Sequence, residues 1–334
     1  MSYKIAINGL GRIGRAVLKL LVHHPQMEIV AANDLIDAKT LAYLLQYDTV
    51  YGRCEHKVSV HEGYLMIGPH KVLLTSEKDP ALLPWKEHQI DLVFECTGVF
   101  NTMHTLQKHL NAGAKRVILS APAKDEEVPT IVFGVNKPAK DDRIVSCASC
   151  TTNCIAPVSE IMDRHLGVAK ATMTTIHAYT ATQALVDSPN KKLRRGRAAA
   201  MNFVPTTTGA TKATTRVLTQ LAGKFEGSAI RAPIPVGSIS DINFVTRKKA
   251  NKEEVNEIFR KEAQTDRYRG ILGVTDEPLV SSDIVMDPRA SIVDLDMTMS
   301  IDGDLIKIMS WYDNEWGYSN QMLRTAEYML ADKK

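Results

Sequence analysis

Three of the chain's five cysteines fall within nine residues, in the stretch SCASCTTNC from Ser146 to Cys154. Thiols this close together can hold a metal ion, cycle as a redox pair, or present one nucleophile beside two bystanders. Cys147 and Cys150 form a C-x-x-C, with Cys154 four residues on. A structural zinc site draws four ligands, usually as two separated pairs. There is no second C-x-x-C, Cys54 and Cys96 stand alone in strand-like surroundings, and only His165 or His177 would complete a set. No metal ligand is therefore expected. A dithiol couple needs Cys147 and Cys150 side by side at a helix N-terminus, and stays open as a side activity. The nucleophile reading accounts best for the placement. RIVSCAS reads as a strand and TTNCIAPVSEIMDRH as the helix after it, which puts Cys150 in the helix's first turn. There the dipole and unpaired backbone N–H groups are expected to lower a thiol's pKa, and those N–H groups can donate to an oxyanion on a carbonyl attacked by Cys150. Cys154, one turn further, reads as a small packed residue. A thiol nucleophile needs a base. His177, in the next predicted strand TMTTIHAYT, is the candidate, with a purely structural histidine as the alternative. Attack on an aldehyde gives a thiohemiacetal, and loss of hydride from it leaves a thioester that water or phosphate can take.

A hydride needs an acceptor, and the N-terminal residues offer a place for one. Gly9-Leu10-Gly11-Arg12-Ile13-Gly14 is a G-x-G-x-x-G directly after the apolar run KIAING, and it opens the helically spaced RIGRAVLKLLVHH. Alone such a pattern marks only a tight turn. Here a second strand, MEIVAAND, ends at Asp34, 20 positions beyond Gly14, where a ribose-binding acid belongs. The glycines would let the backbone approach a pyrophosphate seated on the helix N-terminus. Asp34 would accept from ribose hydroxyls and repel a 2′-phosphate, which favours NAD over NADP.

The elements that must position these groups suit two domains in a chain of 334 residues. An apolar fraction of 44%, a charged fraction of 24% and a net charge of +3 are those of an ordinary globular protein and imply no nucleic-acid or membrane partner. No apolar run approaches the roughly 20 residues of a membrane span. The N-terminal stretch carries no cleavage pattern, and with an odd number of cysteines this leads to a cytoplasmic expectation. The first 150 residues alternate short strands and helices, with DLVFECTG, AKRVILSAP, TIVFGVN and RIVSCAS as later strands. That alternation predicts a parallel sheet whose ligand crevice lies at the carboxyl ends of its strands. From about Ala171 the pattern changes to period-two alternation in ATMTTIHAY, GSAIRAPI, SISDINFVTRK, SIVDLDMTMSID and DLIKIMSWYD, with helices at TGATKATTRVLTQL and NKEEVNEIFRKEAQ. The expected fold class is α/β. A Rossmann-type dinucleotide-binding domain spans 1–149, an α+β catalytic domain with a mixed or antiparallel sheet spans 150–315, and a helix over 316–334 packs back on the first domain. The boundary falls near the cysteines, so the expected site gathers groups from both domains.

In order along the chain, AINGLGRIGR, NDLIDAKTLAYLLQYDTVYG, ECTGVF, SAPAKD, ASCTTNCIAP, HAYTATQ, LRRGRAAA, PTTTGA, LVSSD and WYDNEWGYS make it resemble the phosphorylating glyceraldehyde-3-phosphate dehydrogenases over nearly its whole length. The resemblance implies conversion of glyceraldehyde 3-phosphate and inorganic phosphate to 1,3-bisphosphoglycerate with reduction of NAD, a step of glycolysis and gluconeogenesis. By it Cys150 is the nucleophile and His177 the base. Thr180 and Arg231 hold the substrate's phosphate, and Ser149, Thr151, Thr208, Gly209 and Arg195 bind the attacking phosphate; hydroxyls, a backbone N–H and guanidiniums suit phosphate oxygens. Arg12, Ile13, Thr97, Ser120 and Asn314 join Gly9, Gly11, Gly14 and Asp34 on the cofactor side, with Asn314 holding the carboxamide. Leu35 and Pro189 fall where NAD-using members carry these types. The run KKLRRGR reads as a solvated loop apart from Arg195; in the family it belongs to a long loop reaching a neighbouring subunit's cofactor, which implies a homotetramer. The chain departs from the family pattern twice: Cys147 replaces the usual Asn, and APIPVGSISD replaces VPTPNVSVVD. Two alternatives are an erythrose-4-phosphate dehydrogenase, which releases the acyl group to water and lacks the YTATQ segment, and a non-catalytic NAD-binding regulator, which has no need of the Cys150, His177, Thr180 and Arg231 set.

Overall fold

A computed structural model describes residues 2–331. The chain forms two compact units. One runs to Ile131, resumes over Lys137–Ala148 and takes in the chain from Met322 on; the other is Val132–Asn136 with Ser149–Gln321.

The first unit opens with β1 (Tyr3–Asn8), α1 (Arg12–Val22), β2 (Met27–Asn33) and α2 (Ala38–Gln46). The two-residue pair β3 (Tyr47–Asp48) and β4 (Gly52–Arg53) follows, then β5 (Val58–His61), β6 (Tyr64–Ile67) and β7 (His70–Thr75). β8 (Leu92–Glu95), α3 (Met103–Asn111), β9 (Arg116–Leu119) and β10 (Ile144–Ser146) complete it. One eight-stranded sheet runs β10-β9-β8-β1-β2-β7-β6-β5. Its strands from β10 to β7 pair in parallel. The central strands are apolar on both faces, as a sheet covered on both sides requires, and α1 lays Ala16, Val17, Leu18, Leu21 and Val22 inward. β5, β6 and β7 are antiparallel hairpins at one edge, so this sheet is mixed.

TIVFGVN, expected as a strand, is not one: only Thr130 bridges to Ser146. The Asn136 side chain accepts from the Val132 N–H at 2.8 Å, the Asn136 N–H returns to the Val132 carbonyl at 3.1 Å, and Gly134 takes a φ of +90°. A turn closed by Asn and Gly wins over the apolar run.

In the second unit α4 (Cys150–Leu166) is followed by β11 (Val168–Ala178), β12 (Val204–Thr207), α5 (Ala210–Val217), β13 (Phe225–Ala232) and β14 (Ser238–Thr246). Then come α6 (Lys252–Gln264), β15 (Leu272–Thr275), β16 (Ser291–Ile301), β17 (Leu305–Tyr312) and α7 (Trp316–Ala331). The sheet order is β12-β13-β11-β14-β17-β16-β15. β11 pairs in parallel with β13 and antiparallel with β14, the mixed sheet the sequence pattern led to. Period two is literal in β14, whose residues alternate buried and half-buried from Ser238 to Thr246. α4 is buried along most of its length and packs Cys154, Ile155, Val158 and Met162 into one core with Met173, Phe244, Ile308 and Tyr312. The tail is helical over Trp316–Ala331, with Met322 onward grouped in the first unit; 332–334, which the expected helix included, lie outside the described residues.

Candidate active site

Cys150 is the first residue of α4, as its position in the sequence implied. Ser149 caps the helix: its extended backbone turns the hydroxyl onto the Thr152 N–H at 3.1 Å, with the Thr152 hydroxyl 2.7 Å away. Just before it Ala148 holds a φ of +54°, left-handed for a residue with a Cβ, with its N–H tied to Ser146 Oγ at 3.1 Å. Such backbone costs of order 1 kcal/mol or more and concentrates at functional turns.

The Cys150 Sγ lies 3.4 Å from His177 Nε2. His177 sits near the end of β11, buried, in register with Arg231 on β13. On its far side the ring nitrogen Nδ1 is 2.7 Å from the Ala178 carbonyl and 2.6 Å from Arg231 Nη1, which also donates to that carbonyl at 3.0 Å. The edge of the Tyr312 ring faces the imidazole, centroids 6.0 Å apart. The Tyr312 hydroxyl meets those of Thr151 at 3.0 Å and Thr175 at 2.7 Å, tying the helix start to β11. Burial, then the charges of Arg231 and Arg195, push His177 down to about 3, against the raising effect of a ring N–H hydrogen bond to the Ala178 carbonyl. It is therefore a neutral imidazole at physiological pH.

The thiol does not follow the expectation of a lowered pKa. Burial raises Cys150 by more than the Arg231 charge and the Thr151 hydroxyl and N–H lower it. A thiol beside a neutral imidazole, rather than a standing thiolate, is the resting pair; the field of the helix start is real but smaller than the desolvation cost.

Around this pair the structure gathers donors. Arg231 is half-buried and its Nε has no hydrogen-bond partner, an orphaned charged donor of the kind an anion satisfies. Arg195 Nε donates to Thr206 Oγ1 at 3.1 Å, and its Nη1 reaches Thr182 Oγ1 at 3.4 Å. Thr182 in turn meets Thr180 at 2.9 Å between hydroxyl oxygens. Thr208 follows β12 and accepts from the Ala210 N–H at 3.1 Å, and Gly209 caps α5 without a side-chain cap, leaving first-turn N–H groups for an anion. Cys150, His177 and Arg231 thus form one hydrogen-bonded set and Thr180, Thr182, Arg195 and Thr206 a second, with the Arg195 charge acting on both His177 and Arg231. The hydroxyls of Ser149 and Thr151 are committed to capping and to Tyr312.

Asn314 follows β17 and is buried. The Ala178 N–H donates to Ser238 Oγ at 3.1 Å, and Ser238 Oγ donates to Asn314 Oδ1 at 2.9 Å. Since Ser238 spends its proton on the amide oxygen, the Asn314 NH₂ is the end presented elsewhere. Sequence reasoning missed Ser238 and Tyr312, although each stands in a segment already singled out. The departure at Gly237 has a steric reason: its φ is +84°, and a Cβ there would lie 3.0 Å from the Ser281 carbonyl carbon and closer still to its oxygen.

The first unit carries the other expected residues at the carboxyl ends of four adjacent strands, with Ser120 after β9, Thr97 beyond β8, Gly9 after β1 and Asp34 after β2. Gly9 has a φ of +93°, and a Cβ on it would meet the Thr97 N at 2.7 Å. Gly14 packs so tightly that a Cβ would lie 3.0 Å from the Gly9 carbonyl carbon and 3.4 Å from Ile7 Cγ2. Gly11 has nothing within 4 Å of its Cβ position and caps α1 with no side-chain bond. An open cradle over an uncapped helix N-terminus fits a pyrophosphate. Asp34 accepts from the Leu10 N–H at 2.6 Å and the Ile36 N–H at 3.0 Å, fixing its carboxylate beside the glycine turn. Arg12 pairs with Asp48 at 2.9 Å and lies over the Tyr51 ring, while Ile13 is half-buried.

A buried network behind Thr97 was not legible in the sequence. The Glu95 carboxylate accepts from Asn8 Nδ2 at 2.6 Å, His109 Nε2 at 3.0 Å, the Thr97 N–H at 2.8 Å and the Thr97 hydroxyl. Trp85 Nε1 can only donate, so at 3.0 Å from His109 Nδ1 it fixes the histidine tautomer that gives Nε2–H to Glu95.

Cys147 is buried in the first unit, its thiol hydrogen-bonded to Thr325 and pushed up by burial to about 12. Cys154 is buried and also raised to about 12. Among the described residues no disulfide forms.

Comparison with known proteins identifies the family. Residues 3–103 match the family model of the glyceraldehyde 3-phosphate dehydrogenase NAD binding domain, and 149–314 that of its C-terminal domain. The chain is 46% identical over 327 residues to the glyceraldehyde-3-phosphate dehydrogenase of Streptomyces coelicolor, covering 97% of each chain. It is 45% identical to glyceraldehyde-3-phosphate dehydrogenase 2 of Bacillus subtilis, covering 100% of this chain and 98% of the relative. With the enzyme of Geobacillus stearothermophilus the identity is 45% over 334 residues, 99% of each chain. Two domain models in their proper order and relatives matched from end to end place the chain in the glyceraldehyde-3-phosphate dehydrogenase family.

Proposed function

We infer that the protein is an NAD-dependent, phosphorylating glyceraldehyde-3-phosphate dehydrogenase that acts through a covalent intermediate on Cys150. The observation that carries this is the 3.4 Å contact between the Cys150 thiol and a neutral His177 at a helix start, backed by Arg231. Glyceraldehyde 3-phosphate brings a dianion to Arg231, whose orphaned Nε gives it unmet capacity, and to Thr180. Neutralising that guanidinium removes a charge that depresses His177, so substrate binding makes the imidazole a better base. It also lets Nδ1–H settle on the Ala178 carbonyl, leaving the Nε2 lone pair facing Sγ.

His177 then takes the thiol proton as Sγ bonds to the aldehyde carbon. The backbone N–H groups of the first turn of α4 receive the oxyanion, which picks up that proton to give the thiohemiacetal. NAD, when bound, would supply the two-electron oxidation that turns the thiohemiacetal carbon into the thioester carbonyl, leaving as NADH. As that carbon is oxidised, His177 accepts the proton of the hemiacetal oxygen. The thioester left on Cys150 is attacked by inorganic phosphate held by Arg195, Thr208 and the first N–H groups of α5, with Ser149 and Thr151 at the rim. The acyl phosphate leaves, Sγ recovers a proton from His177, and the proton of the attacking hydrogen phosphate goes to solvent. Gly9, Gly11, Arg12, Ile13, Gly14, Asp34, Thr97, Ser120 and Asn314 would hold the NAD, with Asn314 offering its NH₂, set by Ser238, to the carboxamide oxygen.

The 179–203 loop exposes Leu185, Val186, Leu193, Met201 and Phe203, apolar surface that supports burial against another copy and a homotetramer. No helix among the described residues is long and apolar enough to cross a membrane. The odd number of cysteines supports a cytoplasmic setting. NADH formation from glyceraldehyde 3-phosphate, measured with and without phosphate and with erythrose 4-phosphate as rival, tests the assignment. Strict phosphate dependence is expected. Equal rates without phosphate would rule out phosphorolytic release.

A further inference from the structure

Three side chains that the catalytic account does not use meet on the first unit. His23 caps the C-terminal end of α1, and Glu55 and His56 lie in the turn between β4 and β5. Glu55 Oε1 is 2.9 Å from His23 Nε2 and 3.5 Å from His56 Nε2. One ligand atom from each residue lies within 4.8 Å of the other two. Tetrahedral bonds of about 2.0–2.1 Å put neighbouring ligand atoms about 3.3 Å apart, a spacing these two distances bracket. The two imidazoles stack with centroids 5.9 Å apart and 28° between planes.

The backbone that carries these groups is held independently of any ion. Gln46 clamps the turn, giving Nε2 to the carbonyls of Cys54 at 3.1 Å and His56 at 3.3 Å and accepting the Val58 N–H at 2.8 Å. The His56 ring lies over Gly68, where a Cβ would sit 2.9 Å from its Cγ; the glycine makes room for the imidazole. The neighbouring His24 is fully engaged, its Nδ1 accepting from the N–H groups of Gln26 and Met27 and its Nε2 meeting Glu327 at 2.9 Å, which anchors the turn after α1. The carbonyl end of α1 adds a field favourable to a cation. The side chains of His23 and Glu55 are 60% and 63% exposed, so an ion can enter from solvent and keep a water, whereas an ion pair this exposed contributes little alone.

We propose that His23, Glu55 and His56 form a surface site for a divalent transition-metal ion of the zinc class, with water completing the tetrahedron. Two imidazole nitrogens and one carboxylate oxygen favour such ions over magnesium or calcium, which take oxygen ligands. No sequence pattern marks this site, because His23 lies 32 positions before Glu55 and meets it and His56 only where the end of α1 comes beside the turn after β4.

The test is calorimetric titration of the Cys150→Ser protein with zinc chloride, a background that removes the competing thiol of the active site. One saturable ion per chain is expected in the micromolar range or tighter. Glu55→Gln should weaken it by about tenfold or more, and the His23→Asn, His56→Asn double variant should abolish it. In the otherwise wild-type chain the double variant should keep its rate of NADH formation. Absence of saturable binding in the parent, or the same stoichiometry and affinity in the double variant, overturns the proposal.

Discussion

The glycine turn after β1 allows a prediction that separates cofactor contact from folding. Gly11 has a φ of −67°, open to any L residue, and a Cβ there meets nothing within 4 Å. Gly11→Ala should therefore change the stability of the cofactor-free protein by no more than about 1 kcal/mol. The added methyl stands in the space through which a pyrophosphate must approach the helix N–H groups. Losing one charge-assisted hydrogen bond there costs about 1.5–3 kcal/mol, a rise in the Kd for NAD of roughly 10–100-fold. Gly14→Ala differs in kind. Its Cβ would press on the Gly9 backbone, with the carbonyl carbon at 3.0 Å and Ile7 Cγ2 at 3.4 Å. Backbone cannot rotate aside, so α1 must back away from β1 at a cost of about 1–3 kcal/mol, felt with or without cofactor. The assay pairs NAD titration by calorimetry with urea unfolding of the cofactor-free proteins. A Gly11→Ala protein that binds NAD as tightly as the parent would mean that no pyrophosphate approaches this turn, and a Gly14→Ala protein of unchanged midpoint that the turn has room for a methyl group.

Other expectations follow from the same geometry. Cys147→Ser should leave kcat/KM within about twofold, because a buried thiol raised to about 12 carries almost no thiolate at neutral pH; iodoacetamide labelling that finds Cys147 as reactive as Cys150 would contradict this. His177 is held at about 3, well below the ordinary imidazole value of about 6.5, so the unfolded chain binds the extra proton between those values and stability rises with pH across that window. Acidification from pH 7 to 5 should cost the parent about 2 kcal/mol through this residue, and urea midpoints of His177→Asn should lack that part of the loss; equal losses in both proteins would count against a buried neutral imidazole. Glu95→Gln places an NH₂ among four donors, and should lower stability by about 1–3 kcal/mol while weakening NAD through the Thr97 turn. An unchanged urea midpoint with unchanged NAD affinity would show that the network positions nothing.

Much of the site was legible because its signals are local. The glycine pattern with Asp34, the strand-to-helix junction at Cys150 and the period-two strands each occupy a short run of residues. What stayed hidden depends on contacts across long sequence separations. Asn8 and Glu95 end two apolar strands, while His109 lies in α3 and Trp85 in the loop before β8, and only the fold brings the four together. Tyr312 and Ser238 act through hydroxyls that no spacing rule singles out. TIVFGVN has the apolar composition of a strand, yet Gly134 and Asn136 close a turn within it. The charge state of Cys150 failed for a different reason: the sequence shows the helix start but not how deeply the thiol lies, and burial decides the sign.

The central claim is that the acyl group is carried by Cys150. Enzyme mixed with NAD and glyceraldehyde 3-phosphate in the absence of phosphate, quenched rapidly and mapped by mass spectrometry, tests it most directly. One acyl group per chain is expected, on Cys150, formed together with a burst of one NADH and discharged when phosphate is added. An acyl group on Cys147, or NADH formed with no acyl-enzyme at all, would contradict it.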